Sequence, residues 1–111
     1  MLKPRIVYKL THEATGKAYI GSTANFHNRK LKHLNRLKNG THHVRELQAD
    51  YDLHDNKNIS FCVLDTIRDY SEKDKEYEWM ATCQTFDRSK GYNYADPKLP
   101  RKADKPSSTD T

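Results

Sequence analysis

The chain has 111 residues, of which 34% are hydrophobic and 32% charged, and a formal charge of +5 at pH 7. That length supports one small core and excludes a second independent domain, and no apolar run approaches bilayer-spanning length or forms a leader after the basic N-terminal residues, so a soluble cytoplasmic protein is expected. Charge is uneven: residues 1–48 hold ten Lys/Arg against two Asp/Glu, residues 49–96 six against eleven, and residues 97–111 four against two. The basic half suits a polyanion, whose condensed counterions Lys and Arg displace, or else forms a solvated surface.

In chain order, residues 5–11 are β-branched and aromatic, His12 to Lys17 supplies a Gly-containing turn, and Ala18 to Ser22 resumes an apolar-aromatic run. This predicts a β-hairpin. Ser22 and Thr23 are candidate caps for a helix running to Lys38 and stopping at Asn39-Gly40. Thr41 starts a shorter helix through about residue 52, with Val44, Leu47 and Tyr51 at helical spacing. Ile59 to Leu64 is short and apolar enough for a central strand. Ser71 then caps a helix through about Cys83, with Asp74 in capping-box position. The order β-β-α-α-β-α argues for an α/β sandwich, a small three-stranded and mostly antiparallel sheet flanked by helices, though the pattern alone leaves α+β alternatives open. Cys62 and Cys83 lack CxxC spacing and fall in apolar stretches, so buried free thiols are expected. Beyond Asp96 the composition shifts to Pro, Lys, Ser and Thr, which predicts a domain over 1–96 and a flexible basic tail or linker over 97–111.

Two helices carry polar residues in unusual places. With Phe26 at zero on the first, Leu37 falls at about 20°, Leu34 at about 80° and Leu31 at about 140°, while Arg29 and His33 fall at about 300° and 340°. Arg29 and His33 therefore share one edge of the expected apolar face, and Arg36 extends that edge by a turn. Long stems covering apolar surface would also produce this pattern. On the third helix Glu76 lies between Cys83 and Met80, in the middle of the apolar face, whereas Glu78 faces solvent. An inward carboxylate is costly unless it is paired in a salt bridge or binds a cation. His12, His27 and His54 fall on predicted turns or exposed faces.

Ile6-Val7-Tyr8, Tyr19-Ile20-Gly21, Phe26, Arg29, His33, Glu76 and Gly91-Tyr92-Asn93 together resemble the signature of the GIY-YIG nuclease family. The first triplet departs from the usual Gly-Ile-Tyr but keeps the tyrosine. The closest likeness within the family is to the catalytic domain of phage intron-encoded homing endonucleases. The resemblance implies a GIY-YIG-like fold and a metal-dependent endonuclease acting on DNA, with Tyr8, Tyr19, Arg29, His33, Glu76 and Asn93 in the catalytic site. It implies one Mg²⁺ (or Mn²⁺) on Glu76, water attack assisted by Tyr8 and His33, charge neutralisation by Arg29, and tethering by Asn93. Gly21 would allow close backbone approach, and Lys9, Arg36 and His42 are candidate DNA contacts. No recognition helix or zinc finger is evident, so a separate DNA-binding region or partner would supply specificity, and the chain reads either as a stand-alone nuclease or as a truncated longer protein. The alternative is a nucleic-acid-binding regulatory module with the same fold and no turnover.

Overall fold

The structure, a computed structural model, describes residues 4–69 and 71–93. The expected tail over 97–111 and the last three residues of the expected domain lie outside them. The elements are β1 (Arg5–His12), β2 (Lys17–Thr23), α1 (Phe26–Asn39), α2 (Arg45–Leu53), β3 (Ile59–Ile67) and α3 (Glu72–Cys83), in the expected β-β-α-α-β-α order. They form a three-stranded antiparallel sheet with three helices, strand order β2-β1-β3. Among the described residues no helix is long and apolar enough to cross a membrane.

The central strand is β1, because the hairpin gives it β2 on one side and leaves its other edge for β3. Its Val7, Tyr8, Leu10 and His12 are buried. The third strand, expected to be central from its apolar run, is an edge strand with Val63 47% exposed. A run of apolar residues reports a buried face but not how many neighbours a strand pairs with. The register of β1 on β3 shifts between Val7 and Tyr8, a bulge at the point where β1 presents Tyr8. Ile6 and Val7 pair regularly with Thr23 and Ser22, in extended backbone that needs no glycine.

Two apolar clusters sit on the two faces of the sheet. Leu10, Leu37, Val44, Leu47 and Tyr92 pack on the α1–α2 side, and Val7, Ile20, Ile67 and Met80 pack on the α3 side. The face of α1 turned to the sheet is rotated from the expected stripe: His33 and Leu37 are buried, while Leu31 and Leu34 are 46% and 38% exposed. His33 thus lies in the middle of the buried face, not at its edge. Cys62 is exposed and Cys83 half-buried, both as free thiols, so the expectation of burial fails at Cys62, which lies on the edge strand. His12, expected in a turn, ends β1 and is fully buried, with its Nδ1 2.9 Å from the Thr15 hydroxyl.

Helix ends follow local hydrogen bonds. Asn25, not Ser22 or Thr23, caps α1 by accepting the Asn28 N–H at 3.0 Å, since β2 runs on through Thr23. Gly40 closes α1 with φ 76°, in the left-handed region. The second helix begins at Arg45, four residues later than expected, because His42 turns inward instead. The Ser71 hydroxyl donates to Asp69 and makes no capping bond to α3. After α3 the chain returns along the free edge of β2: the Tyr92 N–H donates to the Ala18 carbonyl at 2.8 Å and the Ala18 N–H to the Lys90 carbonyl at 3.1 Å. Gly91 fits there because a Cβ would lie 2.3 Å from the Thr85 Cα.

Candidate active site

Side chains alternate along a strand, so β1 sends Tyr8, Leu10 and His12 to the α1–α2 face and β2 sends Tyr19 and Gly21 there. Tyr8 and Gly21 are directly opposed in the register. A Cβ on Gly21 would stand 2.6 Å from the Tyr8 Oη and 3.1 Å from the Tyr19 Cε2, so the glycine is what lets the two phenols occupy one space. From α1, His33 reaches between them, with its Nε2 2.8 Å from the Tyr8 Oη and its ring edge-on to Tyr19 at 5.9 Å. Phe26 and Phe61 close the back, each within 6.3 Å of the other or of His33 and Tyr8.

Burial dominates the electrostatics. It pushes the Tyr8 phenol well above its ordinary value; the neighbouring Tyr19 adds to this, the Arg29 guanidinium opposes it and the Glu76 charge adds a little more. Tyr19 is pushed up by burial and by Glu76, again against Arg29. His33 is held down at about 3, first by burial and then by the repulsion of His42, His43, Arg29 and Arg36. His42 is held down at about 4 by burial, His43 and Arg36. The free protein at neutral pH therefore carries neutral phenols and neutral imidazoles here, beside a fixed guanidinium.

Glu76 comes from α3, on the other face of the sheet, and is 8% exposed. Ser22, whose side chain β2 turns toward α3, donates its hydroxyl to the Glu76 carboxylate. Glu76 has no ion-pair partner within 4.0 Å among the described residues, so the salt-bridge explanation for its inward position lacks a partner. Its negative charge raises both phenols, Tyr19 and Tyr8. No group of three His, Cys, Asp or Glu side chains able to hold a metal occurs among the described residues. A lone carboxylate with a free oxygen suits a hard cation that keeps most of its waters, and does not suit zinc.

The other candidate residues divide. Arg29, half-buried, lines a cavity of about 170 Å³ with Lys32, His33, Arg36 and His43, so Arg36 stands on a cationic rim beside His33. Lys9 follows Tyr8 on β1 and so points to the opposite face, away from them. Asn93 is 6% exposed, and its amide is used up by the backbone of β2: its Oδ1 accepts from the Ile20 N–H at 3.0 Å and its Nδ2 donates to the Ile20 carbonyl at 3.1 Å. It fixes the strand between Tyr19 and Gly21 from outside. His42, expected at a DNA-facing surface, is 5% exposed and lies behind His33. Sequence reasoning assigned Ser22 to a helix cap and passed over Lys32, His43, Phe61 and Gln48. For Gln48 a signal existed, since a polar residue one turn after Val44 lies on the inward face of α2.

The family profile described as GIY-YIG catalytic domain matches residues 4–93. No curated protein matches the sequence significantly. Among solved structures, the catalytic domain of homing endonuclease I-TevI superposes with a TM-score of 0.70 at 24% identity, covering 83% of this chain and 99% of that one. A point mutant of the catalytic domain of intron endonuclease I-TevI gives the same TM-score and identity over 83% of this chain and 95% of its own. These two show a shared fold. The profile match spans both tyrosine strands, Arg29, His33, Glu76 and the segment returning to β2, and on that ground the chain belongs to the GIY-YIG catalytic domain family, a family of endonucleases.

Proposed function

We propose that this chain hydrolyses DNA phosphodiester bonds as a homing-type or stand-alone endonuclease, using one divalent cation on Glu76. The observation that carries the reading is Glu76 itself: a buried carboxylate with a hydroxyl donor and no cationic partner among the described residues, whose charge acts on the same two phenols as Arg29. Structural relatives named as an intron endonuclease and a homing endonuclease support the substrate class.

Glu76 and the Ser22 hydroxyl would hold Mg²⁺ or Mn²⁺, which when bound supplies positive charge for the departing 3′ oxygen. The chain's own groups do the rest. Tyr8 Oη, held by His33, orients the attacking water and takes up its proton. Burial keeps the phenol protonated in the resting protein, so Tyr8 becomes a base only after its own proton has left. Arg29, the group that pulls the phenol down, favours that loss and offers its planar fork to the oxygens of the pentavalent phosphorus. Tyr19 positions the phosphate or the water against His33. Lys32, Arg36 and His43 beside Arg29 make a rim for the next phosphate along the strand.

Supercoiled plasmid separates the possibilities. Wild-type protein with Mg²⁺ should nick or linearise it, EDTA should stop this, and Glu76→Ala and Arg29→Ala should each abolish it. Full activity in Glu76→Ala would sink the cation site. Salt-sensitive binding of the plasmid without any cleavage would make the chain a nucleic-acid-binding module of the same fold.

A further inference from the structure

Three hydrogen bonds run in line from the backbone into the site. The Val44 N–H donates to His42 Nδ1 at 3.0 Å, His42 Nε2 lies 2.7 Å from His33 Nδ1, and His33 Nε2 lies 2.8 Å from Tyr8 Oη. The two imidazoles are within 20° of parallel with centroids 4.9 Å apart. More than half of that separation is the 2.7 Å N···N contact and the remainder is the two ring radii, so the rings meet edge to edge and the contact is a true N–H···N bond.

Chemistry fixes the donor in only one of these bonds, and the others follow from it. An amide nitrogen can only donate, so His42 Nδ1 is bare and its single proton is on Nε2. That proton occupies the bond to His33, so His33 Nδ1 is bare and its proton is on Nε2, aimed at Tyr8. Reversing either ring would set two N–H groups head to head, at Val44 or between the histidines, in a buried place where an unmade bond is costly. Adding a proton to the pair is opposed first by burial, then by His43 and by the charged groups that face it, Arg29 and Arg36.

Gln48 holds the frame of this chain. Its Oε1 accepts from the His42 N–H at 3.0 Å, and its Nε2 donates to the Leu37 carbonyl at 2.9 Å and to Asp52 at 3.0 Å. One fixed donor and two fixed acceptors leave the amide a single orientation. The end of α1, the turn carrying His42 and the body of α2 are thereby tied together 9% exposed to solvent at Gln48.

We infer that His42 is a positioning residue that sets the direction of the hydrogen bond on Tyr8: His33 donates to the phenol oxygen, and the phenol's own proton faces the substrate side. His33 therefore steadies the Tyr8 phenolate by donation but is not the acceptor of the Tyr8 proton, which leaves toward the phosphate or solvent. The catalytic consequence rests on the nuclease reading above, whereas the direction of the bonds does not.

Side-chain ¹⁵N NMR of the DNA-free wild-type protein at neutral pH tests the direction without any variant. Both His33 and His42 should show the Nε2–H tautomer, and an Nδ1–H signal from either overturns the inference. In His42→Phe, His33 should become a mixture of tautomers, and kcat should fall by about tenfold with KM within about twofold, as expected when an oriented group rather than a binding contact is lost. His42→Gln, which keeps an N–H donor, should recover part of that loss. A His33 that stays wholly Nε2–H in His42→Phe also overturns the inference. If His42→Phe does not fold, the wild-type spectrum decides alone. Nε2–H tautomers in a protein that cuts no DNA would confirm the bond direction and fail the nuclease reading, so the two failures are distinguishable.

Discussion

On the α3 side of the sheet, Val7, Ile20, Ile67 and Met80 are buried against one another, with Leu64, Trp79, Cys83 and Phe86 around them. On the α1–α2 side, the layer that holds Leu10, Leu37, Val44, Leu47 and Tyr92 also buries His33, His42, Gln48 and the hydroxyl end of Tyr8. The same three strands thus carry an apolar packing layer on one face and a hydrogen-bonded polar layer on the other. Polar groups in a core specify a geometry at the expense of transfer energy, provided each is satisfied. Here the bonds among Tyr8, His33, His42, Val44 and Gln48 account for the polar atoms in that chain. The exception on the apolar side is Glu76 with its Ser22 hydroxyl donor, the pair given the cation in the proposed chemistry.

The comparison predicts that stability and activity separate by face. Tyr8→Phe should lower cleavage by about 10²- to 10⁴-fold, the usual range for a proton-transfer group, while costing about 1–3 kcal/mol in stability because the buried His33 Nε2–H loses its acceptor. Met80→Ala should do the reverse, costing roughly 2–5 kcal/mol in a urea melt while the remaining folded fraction cuts at a near-normal rate. A Tyr8→Phe protein as unstable as Met80→Ala would show that the polar face is load-carrying packing like the other.

Gly21→Ala tests the boundary between the two roles. The added methyl would be 2.6 Å from the Tyr8 Oη and 2.8 Å from its Cζ, and the ring cannot retreat while His33, Phe26 and Phe61 stand behind it. A shift of Tyr8 by a fraction of an ångström should lower activity by about 10²-fold. Overpacking should cost about 1–3 kcal/mol. Activity assays and melts on the same preparation check both, and an unchanged rate would mean that Tyr8 is not held where the structure places it.

How far the sequence foretold this layout depends on which interactions are local. Tyr8 and Tyr19 were marked by the family resemblance, while helix geometry set Arg29 and His33 on or beside the buried face of α1, and the inward Glu76 was visible from Met80 and Cys83 alone. The rotation of α1 was not: Leu31 and Leu34 suggested a stripe, but which part of a helix meets the sheet depends on residues far along the chain, here Tyr8 and Phe61 against Phe26 and His33. The same applies to β3, whose apolar run could not reveal that β1 would take the centre. His12 and His42 were read as turn or surface residues because histidine is usually polar and wet. Their burial follows from partners, Thr15 for one and Val44 and Gln48 for the other, that only the turn geometry brings near.

Those buried histidines give the two faces different responses to pH. His12, His33, His42 and His43 are all held below their ordinary value of 6.5, with burial as the first cause in each. The α3-side cluster contains no histidine. A group whose folded value is depressed binds fewer protons in the folded state, so its contribution is complete above about pH 6.5 and is lost as pH falls toward the folded values of about 4 for His42 and about 3 for His33. Between pH 7 and pH 5 carboxylates remain ionised, so a change in that window belongs to the histidines. Urea melts should show a loss from pH 7 to pH 5 on the order of 2 kcal/mol for each histidine that stays neutral in the folded state. Met80→Ala should lower both values and leave their difference unchanged, whereas His42→Phe should shrink the difference. An equal pH dependence in wild type and His42→Phe would place the sensitivity on His33, His43 and His12 instead.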